Sequence, residues 1–132
     1  VNSQTIARKL GESGCYFLAL LHLANRDNDA IGLYKQAVTA GVMDEDCYIK
    51  DPARLLSLIS GGNWSVRHAP ATYATLGHEW EILRYERKTT VKTYAHFVVG
   101  DGRGQCVYDP LDNALTVSQG QLVSKRIIKR EA

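Results

Sequence analysis

Cysteine is scarce in this 132-residue chain: three residues, at 15, 47 and 106, with no two in Cys-x-x-Cys spacing. An odd count leaves at least one thiol unpaired within the chain. The missing pairs argue against a zinc ribbon, a thioredoxin-like redox site or a small disulfide-held scaffold. No metal and no cofactor is expected. Charge of one sign is also lacking, because 16 basic against 14 acidic side chains leave +2. So mild a balance does not imply a nucleic-acid partner. Long apolar runs are absent too. The longest, Cys15 to Leu21, ends at His22 and is far below the roughly 18 residues of a membrane span. Membrane insertion is therefore not expected. Asp44-Glu45-Asp46 lacks the spacing of a calcium loop, and the glycine-rich Gly100–Gly104 runs into a strand pattern, unlike a phosphate loop.

What is there suits a folded domain. Apolar residues make up 45% and charged residues 23%, too apolar for a disordered chain. The length suits one domain with one core. The pattern changes once, near Gly61-Gly62, and predicts a helical part over 1–62 and a strand-rich part over 63–132. Ser13 is a candidate N-cap for a helix running to Ala24 whose middle, Tyr16 to Leu21, is apolar on every side and so buried. A second helix is predicted over Ile31–Ala40. A third opens at Asp51-Pro52, cap followed by proline, and stops at Gly61-Gly62. Strands are predicted near Trp64–His68, Glu79–Arg87, Lys92–Val99, Gln105–Asp109 and Leu122–Lys129, rich in Tyr, Val, Ile, Thr and Trp. Helices followed by mostly antiparallel strands make an α+β fold.

Cys15 is the first candidate for chemistry. It follows Gly14 at the predicted helix start, where unpaired amides and the positive end of the dipole favour a thiolate. The alternative is a small hydrophobe buried in the core. A nucleophile needs a base, and His22 lies ~10 Å further along the same helix, out of reach. His68 and His78 have no partner suggested by spacing, and surface or packing roles suit all three. His96 lies on a predicted strand that turns at Asp101–Gly104 and returns through Gln105–Asp109. A two- or four-residue turn sets Asp109 directly across from His96, where a carboxylate can orient an imidazole. A three-residue turn sends it to the other face. Equally, Asp109-Pro110 is an ordinary strand-ending turn.

Taken in order, Ser13-Gly14-Cys15-Tyr16-Phe17-Leu18, Ala95-His96-Phe97-Val98-Val99 and Val107-Tyr108-Asp109-Pro110 resemble the papain-like cysteine peptidase superfamily. The branch most similar is that of the bacteriocin leader peptidases and their small bacterial and phage relatives. The resemblance implies a papain-like fold, with the cysteine-bearing helix packed on the sheet. It implies Cys15 as nucleophile, His96 as general base and Asp109 as orienting carboxylate. It also implies a peptide or cell-wall peptide substrate and a bacterial or phage origin. The chain departs from the pattern at the glutamine usually found several residues before the cysteine. Lys9 stands six residues before Cys15, and the upstream glutamine is Gln4. The oxyanion would then be held by the Cys15 amide with Gln4 or Ser13 as second donor. A cysteine hydrolase is expected, with an inactive papain-like module that binds a peptide or protein as the alternative.

Two further features read as structural. The basic Ser124–Arg130 stretch is expected to be a solvated edge, its charges falling on both faces of a strand. Trp64 and Trp80 are expected in the core, with the lining of a cleft as the alternative.

Overall fold

A computed structural model describes residues 2–112 and 114–131. The first helix begins earlier than the sequence suggests. Asn2 accepts a hydrogen bond from the Thr5 amide at 2.8 Å through its side chain and so caps α1 (Ser3–Ser13), which buries Ile6 and Leu10. Ser13 therefore ends one helix rather than capping the next. The junction is Gly14, which leads into α2 (Cys15–Leu23) with no side-chain cap. A Cβ at Gly14 would lie 2.6 Å from the Leu10 carbonyl oxygen and 2.7 Å from its Cα, so only glycine lets the two helices meet this closely. α2 buries Phe17, Ala19, Leu20 and Leu21 completely, as its unbroken apolar run demands. Each large side chain so buried contributes roughly 1.5–3 kcal/mol.

A 3-10 turn at Asp27–Asp29 leads to α3 (Ala30–Thr39). The segment from Met43 to Lys50 is a loop pinned by a bridge between Met43 and Ile49 and by the Tyr34 hydroxyl, which donates to the Glu45 carbonyl at 2.6 Å. α4 (Pro52–Ser60) starts as its sequence predicts. Asp51 accepts from the Arg54 amide at 3.1 Å, and Pro52 occupies the first turn. Gly61, at φ +73°, stops it in a conformation that favours glycine.

The remainder forms one antiparallel sheet of five strands, in the order β1-β5-β2-β3-β4, so the fold is α+β. The strands are β1 (Asn63–Pro70), β2 (Trp80–Lys88), β3 (Thr93–Gly100), β4 (Cys106–Tyr108) and β5 (Gln121–Glu131), with a short α5 (Leu115–Ser118) before the last. Ile82, Val99 and Ile128 join the helices in the main core, with Phe97 packed against it. The residues that alternate with them, among them Leu83, Val98 and Ile127, are buried on the other side. There the segment 71–79 is tied down by Lys125, whose ammonium donates to the Tyr73 carbonyl at 2.8 Å.

Two expectations change. β5 is an interior strand between β1 and β2, so the basic stretch is no solvated edge: Lys125 and Arg126 are 3% and 9% exposed. Trp80 is 46% exposed and rests against the half-buried Trp64, with ring centroids 5.9 Å apart. Among the described residues no helix is long and apolar enough to cross a membrane.

Candidate active site

Cys15 is the first residue of α2, half-buried, on a helix that packs along β3. The first hydrogen bond of this helix runs from the Leu18 amide to the Gly14 carbonyl at 2.8 Å. The amides of Cys15, Tyr16 and Phe17 thus precede any intrahelical acceptor and concentrate partial positive charge beside the thiol. The other cysteines differ. Cys47 is buried, and burial, reinforced by Asp44, pushes its thiol up to about 11. Cys106 lies exposed on the edge strand β4.

His96 is the buried histidine of β3, and its Nε2 lies 2.6 Å from Asp109 Oδ1. A carboxylate can only accept, so Nε2 carries the proton and Nδ1 is left for another partner. Cys15 stands close enough to this imidazole for its thiol to favour the charged ring. Burial, the largest influence on His96, opposes its charge. The influence of Cys15 and the hydrogen bond to Asp109 outweigh it and raise the pKa above the ordinary value. Asp109 is the mirror case. Burial disfavours its charge, but His96 and the amides of Ala114 and Leu111 hold it below the usual carboxylate range. Those amides donate to its two oxygens at 3.0 and 2.9 Å, fixing the carboxylate from behind.

The pair forms by a route other than direct cross-strand opposition. The ladder places Val99 opposite Tyr108 and Gly100 opposite Cys106, with a register shift between them, and β4 ends at Tyr108. A ladder continued from Val99–Tyr108 would put Asp109 across from Val98, making it a diagonal neighbour of His96 on the same face. A carboxylate reaches an imidazole from there. The turn is a five-residue loop closed by the Asp101 amide donating to the Gln105 carbonyl at 2.9 Å. Its extra residue is absorbed by the bulge, which restores the parity that a simple three-residue turn would break.

Beside Cys15 runs an open groove of about 530 Å³, lined by Ser13, Cys15, Tyr16 and Phe97, by the 46–50 loop and Pro52, and by His68 and Arg126. The Tyr16 ring stacks on Phe97 with centroids 4.4 Å apart and planes within 14°. Burial pushes the Tyr16 hydroxyl up to about 12, so it stays a neutral donor at physiological pH. Tyr48, on the groove wall, is 68% exposed.

The residues singled out in the sequence divide cleanly. Cys15, His96 and Asp109 come together, and Ser13 lies on the groove. Gln4 does not, because it sits exposed in the first turn of α1, roughly 14 Å along the axis from Ser13 at ~1.5 Å per residue. His22 stacks on Tyr108 with centroids 3.7 Å apart and shares a 3.0 Å hydrogen bond with Asp27, so it has a packing role. His78 is exposed. His68 and Arg126 line the groove although sequence reasoning left both outside any site. They pair across β1 and β5, and nothing but that register, fixed by the whole sheet, brings them to Cys15.

The model of a protein family described as "Protein of unknown function, DUF261" matches residues 1–130. No curated protein and no solved structure matches the chain. With the match running over almost its entire length, the chain belongs to the DUF261 family.

Proposed function

We propose that the protein is a cysteine hydrolase with a papain-like arrangement, cleaving a peptide or amide bond through Cys15, His96 and Asp109. One observation carries the reading: a thiol at a helix start lies beside an imidazole whose Nε2 donates to a half-buried carboxylate held by two backbone amides. That is the order nucleophile, base, orienter needed for acyl transfer.

In the first step the Cys15 sulfur attacks the carbonyl carbon, forming the S–C bond. The displaced electron pair moves to oxygen, facing the Cys15 amide and the Ser13 hydroxyl. The proton that His96 received from the thiol passes to the departing amine as the C–N bond breaks. Water then enters and gives its proton to His96, and its oxygen bonds the acyl carbon. The S–C bond breaks, releasing a carboxylic acid and returning the thiolate–imidazolium pair. Asp109 holds the ring and compensates its charge throughout. The groove with Tyr48 on its wall suits an extended peptide.

A second reading has its own observation. Gln4 lies outside the groove, leaving Ser13 as the second candidate oxyanion donor. This favours a module that binds a peptide without turnover. Incubating a mixed peptide library with the wild-type protein and with Cys15→Ala separates the two by mass spectrometry. The hydrolase reading expects new peptide termini with the wild type only, and an acyl adduct on Cys15 after acid quenching. Equal peptide retention by both proteins without cleavage would establish the binding module instead.

A further inference from the structure

Arg126 is a buried charged group of the groove that the proposed chemistry does not use. It is 9% exposed, and its Nη1 donates to Ser124 Oγ at 3.0 Å and to the Lys125 carbonyl at 3.2 Å. Neighbouring cations have carboxylates: Arg84 pairs with Glu86, Lys125 with Glu81 and Arg67 with Glu79. Among the described residues Arg126 pairs with none. A buried cation without an anion is costly unless something supplies one. Burial above all lowers its pKa, and the Arg84 charge acts in the same direction. The Tyr16 hydroxyl, neutral at pH 7, does not offset that charge.

The guanidinium is also held in place. It lies over the Phe97 ring, 5.4 Å from the centroid, and Tyr16 stacks on that ring immediately after Cys15. Nη1 is occupied, while among the described residues Nη2 and Nε have no acceptor, and Arg126 lines the groove. A planar fork with free donors, fixed on an aromatic platform, matches a carboxylate. His68 and Lys50 add donors along the same groove, and Asp46 is its one acidic side chain.

We propose that Arg126 anchors a carboxylate of the substrate, so that the groove selects acyl compounds carrying an acidic side chain or a free C-terminus. The selection of a substrate rests on Cys15 being the nucleophile; the anion site itself does not.

The test compares alkylation of Cys15 by iodoacetate and by iodoacetamide, in protein with Cys47→Ser and Cys106→Ser. Both reagents meet the same thiolate, so its abundance cancels in the ratio of their rates. The proposal expects the iodoacetate-to-iodoacetamide ratio to fall about fivefold or more in Arg126→Gln, and by less than about twofold in Lys50→Gln. Equal falls in the two variants, or none in either, would overturn it. An ordinary thiol with the ratio effect intact would refute the hydrolase and keep the anion site; high reactivity at acidic pH without the ratio effect would do the reverse. If Arg126→Gln does not fold, the unsubstituted protein gives the answer by protection against iodoacetamide. N-acetylglutamate α-methylamide presents an acidic side chain, N-acetylalanine a free C-terminus, and N-acetylalanine methylamide neither. Protection by one or both carboxylates but not by the neutral compound supports the anchor and identifies the source. Equal protection by all three, or by none, contradicts it.

Discussion

Two ion pairs built on buried residues of this sheet end differently. In Glu81–Lys125 every polar atom is used. Glu81 accepts from Lys125 at 2.8 Å, from Thr75 at 2.6 Å and from the amides of Gly102 and Gly104 at 3.0 and 2.9 Å. Lys125 spends its remaining donors on Tyr73 and Thr75. Those hydrogen bonds outweigh the burial that opposes the Glu81 charge and hold its pKa below the ordinary value. In His96–Asp109 the carboxylate is equally satisfied, but one ring nitrogen is left over, with Cys15 nearby on an open groove. A saturated buried pair clamps loops together, whereas a pair with spare capacity can do chemistry.

The largest expected effect breaks this contrast on the catalytic side. Cys15→Ala should lower peptide cleavage by at least ~10³-fold while leaving the thermal midpoint nearly unchanged, since non-additive catalytic units fail as a whole. On the structural side Lys125→Ala strands Glu81 and should cost about 3–5 kcal/mol of stability in denaturant titration. The Cys15 alkylation rate per folded molecule should not move. If Lys125→Ala changed reactivity and left stability alone, the division of roles would be reversed.

Gly14→Ala probes the corner that aims the thiol. Its Cβ would press on Leu10, so a loss of about 1–3 kcal/mol is expected, with slower Cys15 alkylation even in folded protein. The smallest effect is the pH dependence of stability from His96 and Asp109. The raised His96 pKa stabilises fully below its unfolded value near ~6.5 and is lost as pH rises through the folded one. The lowered Asp109 pKa stabilises above ~3.8 and is lost as pH falls through its folded value. Their joint contribution should therefore be greatest between about pH 4 and 6.5. In Asp109→Asn that acid-side maximum should flatten.

The sequence made some of this legible because the signals were local. Asp51-Pro52 marks α4, and the apolar run after Cys15 marks a buried helix. α1 escaped because only Ile6 and Leu10 are buried, among polar neighbours and beside a mid-helix glycine at 11. The Asn2 cap with apolar residues four apart was the available clue. Asp109 reached His96 through a bulge that no turn pattern encodes. Arg126 looked like one charge in a basic edge, because its burial depends on β5 entering the sheet between β1 and β2.

The central claim is that Cys15 and His96 share a proton, and the alkylation rate of Cys15 against pH tests it most directly. With Cys47→Ser and Cys106→Ser, reactivity should persist well below the ~8.5 at which a free thiol titrates, and this acid-side reactivity should vanish in His96→Ala. Identical curves for both proteins, each rising like an ordinary thiol, would contradict the account.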